Sequence, residues 1–216
     1  MFARSTTEWL NPNGAFKYLY KMNKIRVPYI TDLMDIKGKR ILDVGAGGGI
    51  LSLELLKLGA HVTSIDLETS NLDVMKEIRD KTKSNNWEIR NENLFDLRDQ
   101  YDLVVASEVI EHVQNKHPFL TKCCELTSKE GKVVISTMNK TILSHFITIT
   151  MAEDILEKID KGTHDSRLYL CPEDINVKGF HLDNIRPFIL NPLTDELQYI
   201  SWPMIHWIGI LSRIQQ

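Results

Sequence analysis

The sequence is short of cysteine, of net charge and of long apolar runs, and each shortage narrows the functions open to it. Its three cysteines, Cys123, Cys124 and Cys171, lack C-x-x-C spacing, so they indicate neither a disulfide framework nor a zinc–thiolate site. The formal net charge is only −3, and Lys and Arg are scattered, which gives no electrostatic case for nucleic acid. No apolar run is long enough to span a membrane, and the first residues are too polar for a signal peptide.

What the sequence does contain is an alternation of strand and helix patterns between about residues 40 and 138. Its 216 residues suit one α/β domain. We predict strands at Arg40–Val44, His61–Asp66, Trp87–Arg90, Tyr101–Ala106 and Lys132–Met138, and helices at Ile50–Leu58, Asn71–Thr82 and Pro118–Leu126. This alternation predicts a doubly wound, mostly parallel sheet.

The flanking regions complete a single domain over residues 1–216. We predict that residues 1–36 form a cap with a helical stretch at Phe16–Met34, and that residues 37–140 form the core of the domain. Residues 141–180 are predicted as a helix-rich insertion or lid, with its helical part at Thr141–Asp160. Residues 181–216 hold two final extended runs, near Ile185–Leu190 and Ile205–Leu211, which we expect to complete the sheet.

A glycine loop follows the first predicted strand. Asp43 lies two residues before Gly45, and the loop continues as G-x-G-G-G through Gly47. It is not the dinucleotide fingerprint, which would need glycine where Ile50 stands. The pattern is typical of S-adenosylmethionine-dependent methyltransferases, whose cofactor has ribose but no phosphate, although such loops also occur as plain strand-to-helix turns. Asp66 ends the second strand, where an acid can accept both ribose hydroxyls.

A second cluster, Glu108, Glu111 and His112, follows the fourth strand. If a helical turn starts at Glu108, these three side chains share one face. Two carboxylates and an imidazole can hold Mg²⁺, Mn²⁺ or Zn²⁺. The alternative is that the acids favour a helix dipole and that the histidine is a hydrogen-bonded neighbour.

A third cluster, Lys161–Asp165, follows the inserted helix and contains His164. Gly162 can simply end that helix in a solvated turn, or the segment can form a lid carrying a proton acceptor or a further metal ligand. The preceding stretch, Ile142–Ile149, is apolar enough for core, lipid contact or an apolar substrate.

Together these motifs resemble the ubiquinone-biosynthesis O-methyltransferase family, nearly end to end. The specific parts are an N-terminal signature and the K-G-T-H-D segment at Lys161–Asp165, joined by the glycine loop, the segment Ser107–Val113, the segment Ser136–Thr141 and Asn191–Leu193. The N-terminal signature comprises Trp9, Gly14, Ala15, Phe16, Leu19, Met22, Asn23, Arg26, Tyr29 and Ile30. The chain departs from the family at Leu10, Asn11, Tyr20, Ala46 and Ser166, which puts the substrate pocket in doubt more than the cofactor site.

The resemblance implies a class I methyltransferase fold and a set of site residues. Arg26, Gly45, Asp66 and Ser107 match the family's S-adenosylmethionine contacts, and Asp43 and Gly47 belong to the same loop motif. Glu108, Glu111 and His112 match metal ligands, with Mg²⁺ the expected ion and Zn²⁺ or Mn²⁺ as alternatives. His164 is the candidate to accept the proton of the methylated hydroxyl.

The implied reaction is methylation of catechol hydroxyls on polyprenylated ubiquinone precursors. Such a substrate predicts peripheral contact with a membrane through the apolar insertion, together with Trp202 and Trp207, and contact with other ubiquinone-biosynthesis proteins. The expected location is the matrix face of the mitochondrial inner membrane in a eukaryote, or the cytoplasmic face of the membrane in a bacterium. Two alternatives stay open: metal-dependent 2′-O-methylation of RNA, which the acidic balance disfavours, and a noncatalytic assembly subunit.

Overall fold

A computed structural model of the chain describes residues 6–139, 170–191, 193–201 and 206–214. In this part of the chain the helices are α1 (Thr6–Trp9), α2 (Lys17–Leu33), α3 (Ile50–Lys57), α4 (Thr69–Thr82) and α5 (Lys116–Glu125). The strands are β1 (Arg40–Val44), β2 (His61–Ile65), β3 (Trp87–Arg90), β4 (Tyr101–Ser107), β5 (Thr127–Met138), β6 (Phe180–Asn191), β7 (Glu196–Tyr199) and β8 (His206–Arg213).

These strands form one sheet in the order β3-β2-β1-β4-β5-β8-β6-β7. The first five pair in parallel, whereas β8 is antiparallel to both β5 and β6, and β7 is antiparallel to β6. The order reverses between β1 and β4, which is the place where open α/β sheets bind ligands beyond the carboxyl ends of their strands. The predicted doubly wound, mostly parallel fold is therefore confirmed.

The central strands contain continuous apolar runs because both faces of the sheet are covered. In β4, Leu103, Val104, Val105 and Ala106 are all buried. Such strands lack the alternation of a half-exposed sheet and appear in the sequence as continuous apolar runs. One buried cluster lies on the α2 side, where Ile208 of β8 packs, and a second lies on the α5 side, where Trp207 packs.

The predicted bounds of β1 and β3 agree with the structure. The four predicted helices that match α2 to α5 and the remaining parallel strands differ mainly at their ends, whereas α1 was not predicted. β5 begins at Thr127 instead of Lys132, β6 begins at Phe180, and β7 was not predicted. The predicted helix at Thr141–Asp160 lies outside the described residues. Within the described ranges, no helix combines the length and apolar composition that crossing a bilayer requires.

Candidate active site

The loops after β1 and β4 enclose a cavity of about 140 Å³. Its walls include five of the six predicted cofactor residues, and the sixth, Asp66, is hydrogen-bonded to the same loop. The lining residues are Trp9, Leu19, Arg26, Asp43, Gly45, Ala46, Gly47, Ile50, Leu51, Ser107 and Glu108. Residues distant in the sequence thus meet at one point, although their binding roles remain predictions.

The glycine loop needs its glycines for conformation and for space. Gly45 has φ +65°, in the left-handed region, and a Cβ added there would lie 2.6 Å from Cγ2 of Val109. A side chain at this position would therefore be strained by the backbone and by its neighbour. The bare backbone leaves the loop open to close approach by a ligand.

Asp66 fixes the loop from the end of β2. One of its carboxylate oxygens accepts a hydrogen bond from the backbone N–H of Gly47 at 2.8 Å, and the other accepts from the backbone N–H of Glu68 at 2.9 Å. Asp66 thereby lies against the glycine loop, where a ribose diol could replace or share these contacts.

Asp43 lies beneath the loop and is buried. Its carboxyl group accepts a 2.6 Å hydrogen bond from the hydroxyl of Ser52 on α3, and Ser52 in turn contacts Ser64 of β2 at 2.7 Å. Burial raises the pKa of Asp43 to about 6, while the bond from Ser52 and the nearby charge of Arg26 oppose that rise. Asp43 thus ties β1, α3 and β2 together under the cavity.

Arg26 is a buried guanidinium with unused binding capacity. It donates to the hydroxyl of Ser107 at 3.0 Å, to the carbonyl oxygen of Leu19 at 3.0 Å and to the side-chain oxygen of Asn23. Its Nε has no hydrogen-bond partner, and no carboxylate of the described chain lies within ion-pair distance of it. Burial lowers the pKa of Arg26, and the nearby carboxyl groups of Asp43 and Glu108 only partly oppose that fall, so the cavity favours an anionic ligand group beside the guanidinium.

These features fit S-adenosylmethionine. The α-carboxylate of the cofactor is the anion that Arg26 lacks, and Asp66 offers an acceptor for the ribose hydroxyls. Two exposed apolar residues that the sequence did not single out follow the neighbouring strands: Leu67 is 69% exposed directly after Asp66, and Phe95 is 44% exposed in the loop after β3. Exposed apolar side chains at the carboxyl edge of the sheet suit a flat adenine ring.

The predicted N-terminal cap contacts the glycine loop directly through Trp9. Trp9 stacks on Phe16 with ring centroids 3.5 Å apart, and Tyr20 donates to the carbonyl oxygen of Trp9 at 2.7 Å. A Cβ added at Gly48 would lie 2.2 Å from the Trp9 ring. Because Gly48 has no side chain, the Trp9 ring can pack against the loop and form one wall of the cavity.

The predicted helical turn at Glu108 is wrong. Glu108 has φ +55° and still pairs with β5, because its backbone N–H donates to the carbonyl oxygen of Ser136 at 2.9 Å. The 3₁₀ turn begins only at Ile110, so the expected spacing of side chains on one helical face does not arise.

The three predicted metal ligands do not form a common site. Glu108 accepts from the hydroxyl of Ser136 and Glu111 from that of Thr137, both at 2.9 Å. Successive strand residues face opposite sides of the sheet, so the two carboxylates reach β5 from opposite sides. His112 is exposed, and the described residues contain no group of three or more potential ligands. These residues do not fit the predicted three-ligand metal site.

The carboxyl groups of Glu108 and Glu111 are nevertheless close enough for their charges to interact. Burial and the nearby charge of Glu108 hold the pKa of Glu111 well above its usual range. Beside Glu108 lie two residues that sequence reasoning missed, Tyr18 and His206, whose side chains contact each other at 3.3 Å. Their separation of 188 positions left no local signal to find them. His164 lies outside the described residues.

The fold and this site define a class I methyltransferase, and comparisons with known proteins agree. A family model described as a methyltransferase domain matches residues 35–179. The magnesium protoporphyrin IX methyltransferase of Synechocystis PCC 6803 with bound SAH has the same fold, with a TM-score of 0.63 at 17% identity over 90% of this chain and 84% of that one.

Sequence relatives identify the particular family. The ubiquinone biosynthesis O-methyltransferase of Coxiella burnetii is 33% identical over 201 residues, which are 90% of this chain and 86% of the relative. That of Dechloromonas aromatica is 34% identical over 89% and 86% of the two chains. The chain belongs to the ubiquinone biosynthesis O-methyltransferase family, and it is an S-adenosylmethionine-dependent O-methyltransferase.

Proposed function

We propose that the protein methylates a catechol hydroxyl of a polyprenylated ubiquinone precursor. The family relatives, which match about nine tenths of the chain, support the pathway. Binding of the methyl donor is supported by one observation: the Nε of buried Arg26 has no hydrogen-bond partner among the described residues, in a cavity that Gly45 and Gly47 also line. The donor would bind with its carboxylate at Arg26 and its ribose at Asp66.

Bound S-adenosylmethionine supplies an electrophilic methyl group on a sulfonium sulfur. As the phenolic oxygen bonds to the methyl carbon, the carbon–sulfur bond breaks, the phenolic proton is lost and the demethylated cofactor is released. Because this is an in-line displacement, the protein contributes mainly by alignment. Arg26 and Asp66 would hold the carboxylate and the ribose of the cofactor, and Glu108 lines the same cavity.

Loss of the phenolic proton is the remaining requirement, because a free phenol has a pKa of about 10. Glu108 lines the cavity, so its carboxylate could accept a hydrogen bond from the acceptor hydroxyl and favour the developing phenolate. His164 stays the sequence-based candidate for the final proton acceptor. Metal assistance also stays a prediction from the resemblance, and no step above depends on a metal.

We further propose that the enzyme works at a membrane surface, because a polyprenyl tail partitions into a bilayer. The apolar segment Ile142–Ile149 supports this proposal by composition, although it and Trp202 lie outside the described residues. Trp207 contributes no membrane contact, because it is fully buried and donates its indole N–H to the carbonyl oxygen of Leu170. Liposome flotation of the wild type and of a Phe146→Ser, Ile147→Ser double variant tests this part.

The test of the reaction is a methyl-transfer assay on a catechol with a short prenyl tail, followed by mass spectrometry. We expect a singly methylated product, strongly reduced by Asp66→Ala and unaffected by Asp73→Ala, which removes an exposed acid on α4 that pairs with Lys76. A wild-type protein that binds SAH but gives no product would refute the substrate class. Loss of turnover on chelation, restored by Mg²⁺, would support metal assistance.

A further inference from the structure

Glu108 is the end point of a directed chain of hydrogen bonds. Arg26 can only donate, and it donates to the hydroxyl of Ser107 at 3.0 Å. The hydroxyls of Ser107 and Ser136 are 2.6 Å apart, and Ser136 donates to Oε1 of Glu108 at 2.9 Å. Since Ser136 has one proton and gives it to Glu108, Ser107 must donate to Ser136. One oxygen of the Glu108 carboxylate is thereby fixed.

The other carboxylate oxygen faces a buried imidazole. Nδ1 of His206 lies 3.8 Å from Oε2 of Glu108, and among the described residues it has no hydrogen-bond partner although His206 is only 9% exposed. The other ring nitrogen, Nε2, is 3.3 Å from the hydroxyl of Tyr18. Phe188 stacks on the imidazole with centroids 5.3 Å apart and planes 21° apart, which fixes the ring.

The direction of these contacts follows from the protons available. Burial and the charge of Glu108 raise the pKa of Tyr18, so its hydroxyl keeps its proton. The imidazole needs an N–H toward Glu108, because a carboxylate oxygen can only accept a hydrogen bond, and an acceptor nitrogen toward the hydroxyl of Tyr18. If Tyr18 donates to Nε2, the ring proton sits on Nδ1 and points at Glu108. Contacts of this kind are often long before substrate binds and tighten in the reactive complex.

We propose that His206 is a positioning residue that holds Glu108 against the acceptor through an Nδ1–H···Oε2 hydrogen bond, with Tyr18 fixing its tautomer. This inference rests on the proposed function, in which Glu108 faces the acceptor hydroxyl. Two hydrogen-bond chains, one starting at Arg26 and one at Tyr18, then hold the two oxygens of the Glu108 carboxylate. His206 touches neither cofactor nor reacting atoms and acts only through Glu108.

Two substitutions separate the ring nitrogens. The amide nitrogen of asparagine reaches about as far as Nδ1, and that of glutamine about as far as Nε2. We expect His206→Gln to lower kcat/KM for a short-tailed catechol by up to about a hundredfold, because a shift of about 1 Å at the site has effects of that size. We expect His206→Asn to keep turnover close to that of the wild type, because its amide nitrogen can replace Nδ1. Calorimetric affinity for SAH should be unchanged in both, and His181→Leu, an exposed histidine on β6, should have no effect.

A measurement without a methyl acceptor tests the role of His206 separately from the proposed substrate. Nitrogen-15 NMR of the imidazoles in the SAH complex should show His206 as the Nδ1–H tautomer, assigned from the signal lost in His206→Asn. An Nε2–H tautomer, or equal catechol kinetics for the glutamine variant and the wild type, would overturn the inference. Equal losses in both variants would also overturn it, since Nδ1 would then not be the working atom. Absence of turnover in the wild type would instead refute the substrate class.

Discussion

Replacing Gly45 by alanine should destabilise the protein in two separable ways. The first is conformational, because φ is +65° and the left-handed region costs an ordinary residue about 1–2 kcal/mol. The second is steric, because the new Cβ would lie 2.6 Å from Cγ2 of Val109. Overpacking of this kind costs about 1–3 kcal/mol, so the total expected loss is about 2–5 kcal/mol.

Gly38 provides the matched control. It has φ +72°, but an added Cβ would meet nothing within 4 Å. Gly38→Ala should therefore show only the conformational cost, and the gain from a stiffer unfolded chain cancels between the two variants. The difference of about 1–3 kcal/mol corresponds to roughly 1 M in the urea midpoint for a typical slope.

A double variant closes the test. Val109→Ala removes the two methyl groups nearest the new Cβ, so Gly45→Ala should cost less in that background, with a coupling free energy of about 0.5–3 kcal/mol. Urea unfolding followed by circular dichroism measures all four proteins. If Gly45→Ala costs no more than Gly38→Ala, or if the two substitutions add without coupling, then the loop is not confined by Val109 as described.

Three further predictions concern the same loop. Asp66→Ala should weaken both S-adenosylmethionine and SAH about tenfold or more in calorimetry, since a hydrogen bond to a charged group contributes about 1.5–3 kcal/mol; unchanged affinities would remove Asp66 from the site. The pKa of Asp43 is about 6 in the folded protein, above its usual value, so the native state binds the proton more readily than the unfolded chain does. The stability that Asp43 contributes is therefore full below about pH 4 and falls by roughly 3 kcal/mol as the pH rises to about 7. Asp43→Asn should remove that fall in pH-dependent unfolding, and a persisting fall would assign it to other groups. Gly48→Ala should displace the ring of Trp9, seen as a red-shifted fluorescence absent from a Trp9→Phe background.

The parallel core could be predicted because its signals are local. Apolar runs ended by glycine or an acid mark β1 and β2, and burial on both faces keeps those runs continuous. The start of β5 was missed because Ser128–Glu130 is polar and its register shifts opposite Tyr101. β7 is a short edge strand, and pairing with β6 rather than its own composition makes it a strand.

The residues of the site also differ in how they can be found: some follow from local sequence patterns, and others only from long-range contacts. The glycine loop and Asp66 follow from residues near each other in the sequence. Arg26, in contrast, was found only through the family resemblance, because its bond to Ser107 spans 81 positions. No spacing rule connects Tyr18 to His206, and only the antiparallel return of β8 beside β5 brings them together.

The Glu108–His112 segment shows why a spacing that suits a helix can mislead at the end of a strand. The hydrogen bond from the Glu108 backbone to Ser136 extends the pairing of β4 with β5 by one residue, and the left-handed φ then turns the chain. Glu108 is thereby left on the α2 side, where Ser136 pairs with Ile208, and Glu111 on the α5 side, where Thr137 pairs with Trp207. A non-glycine residue in this conformation costs about 1–3 kcal/mol, and such strain persists where the surroundings hold it. At Glu108 the strained backbone places the carboxylate between Ser136 and His206 in the wall of the cofactor cavity, which a regular helical turn would not do.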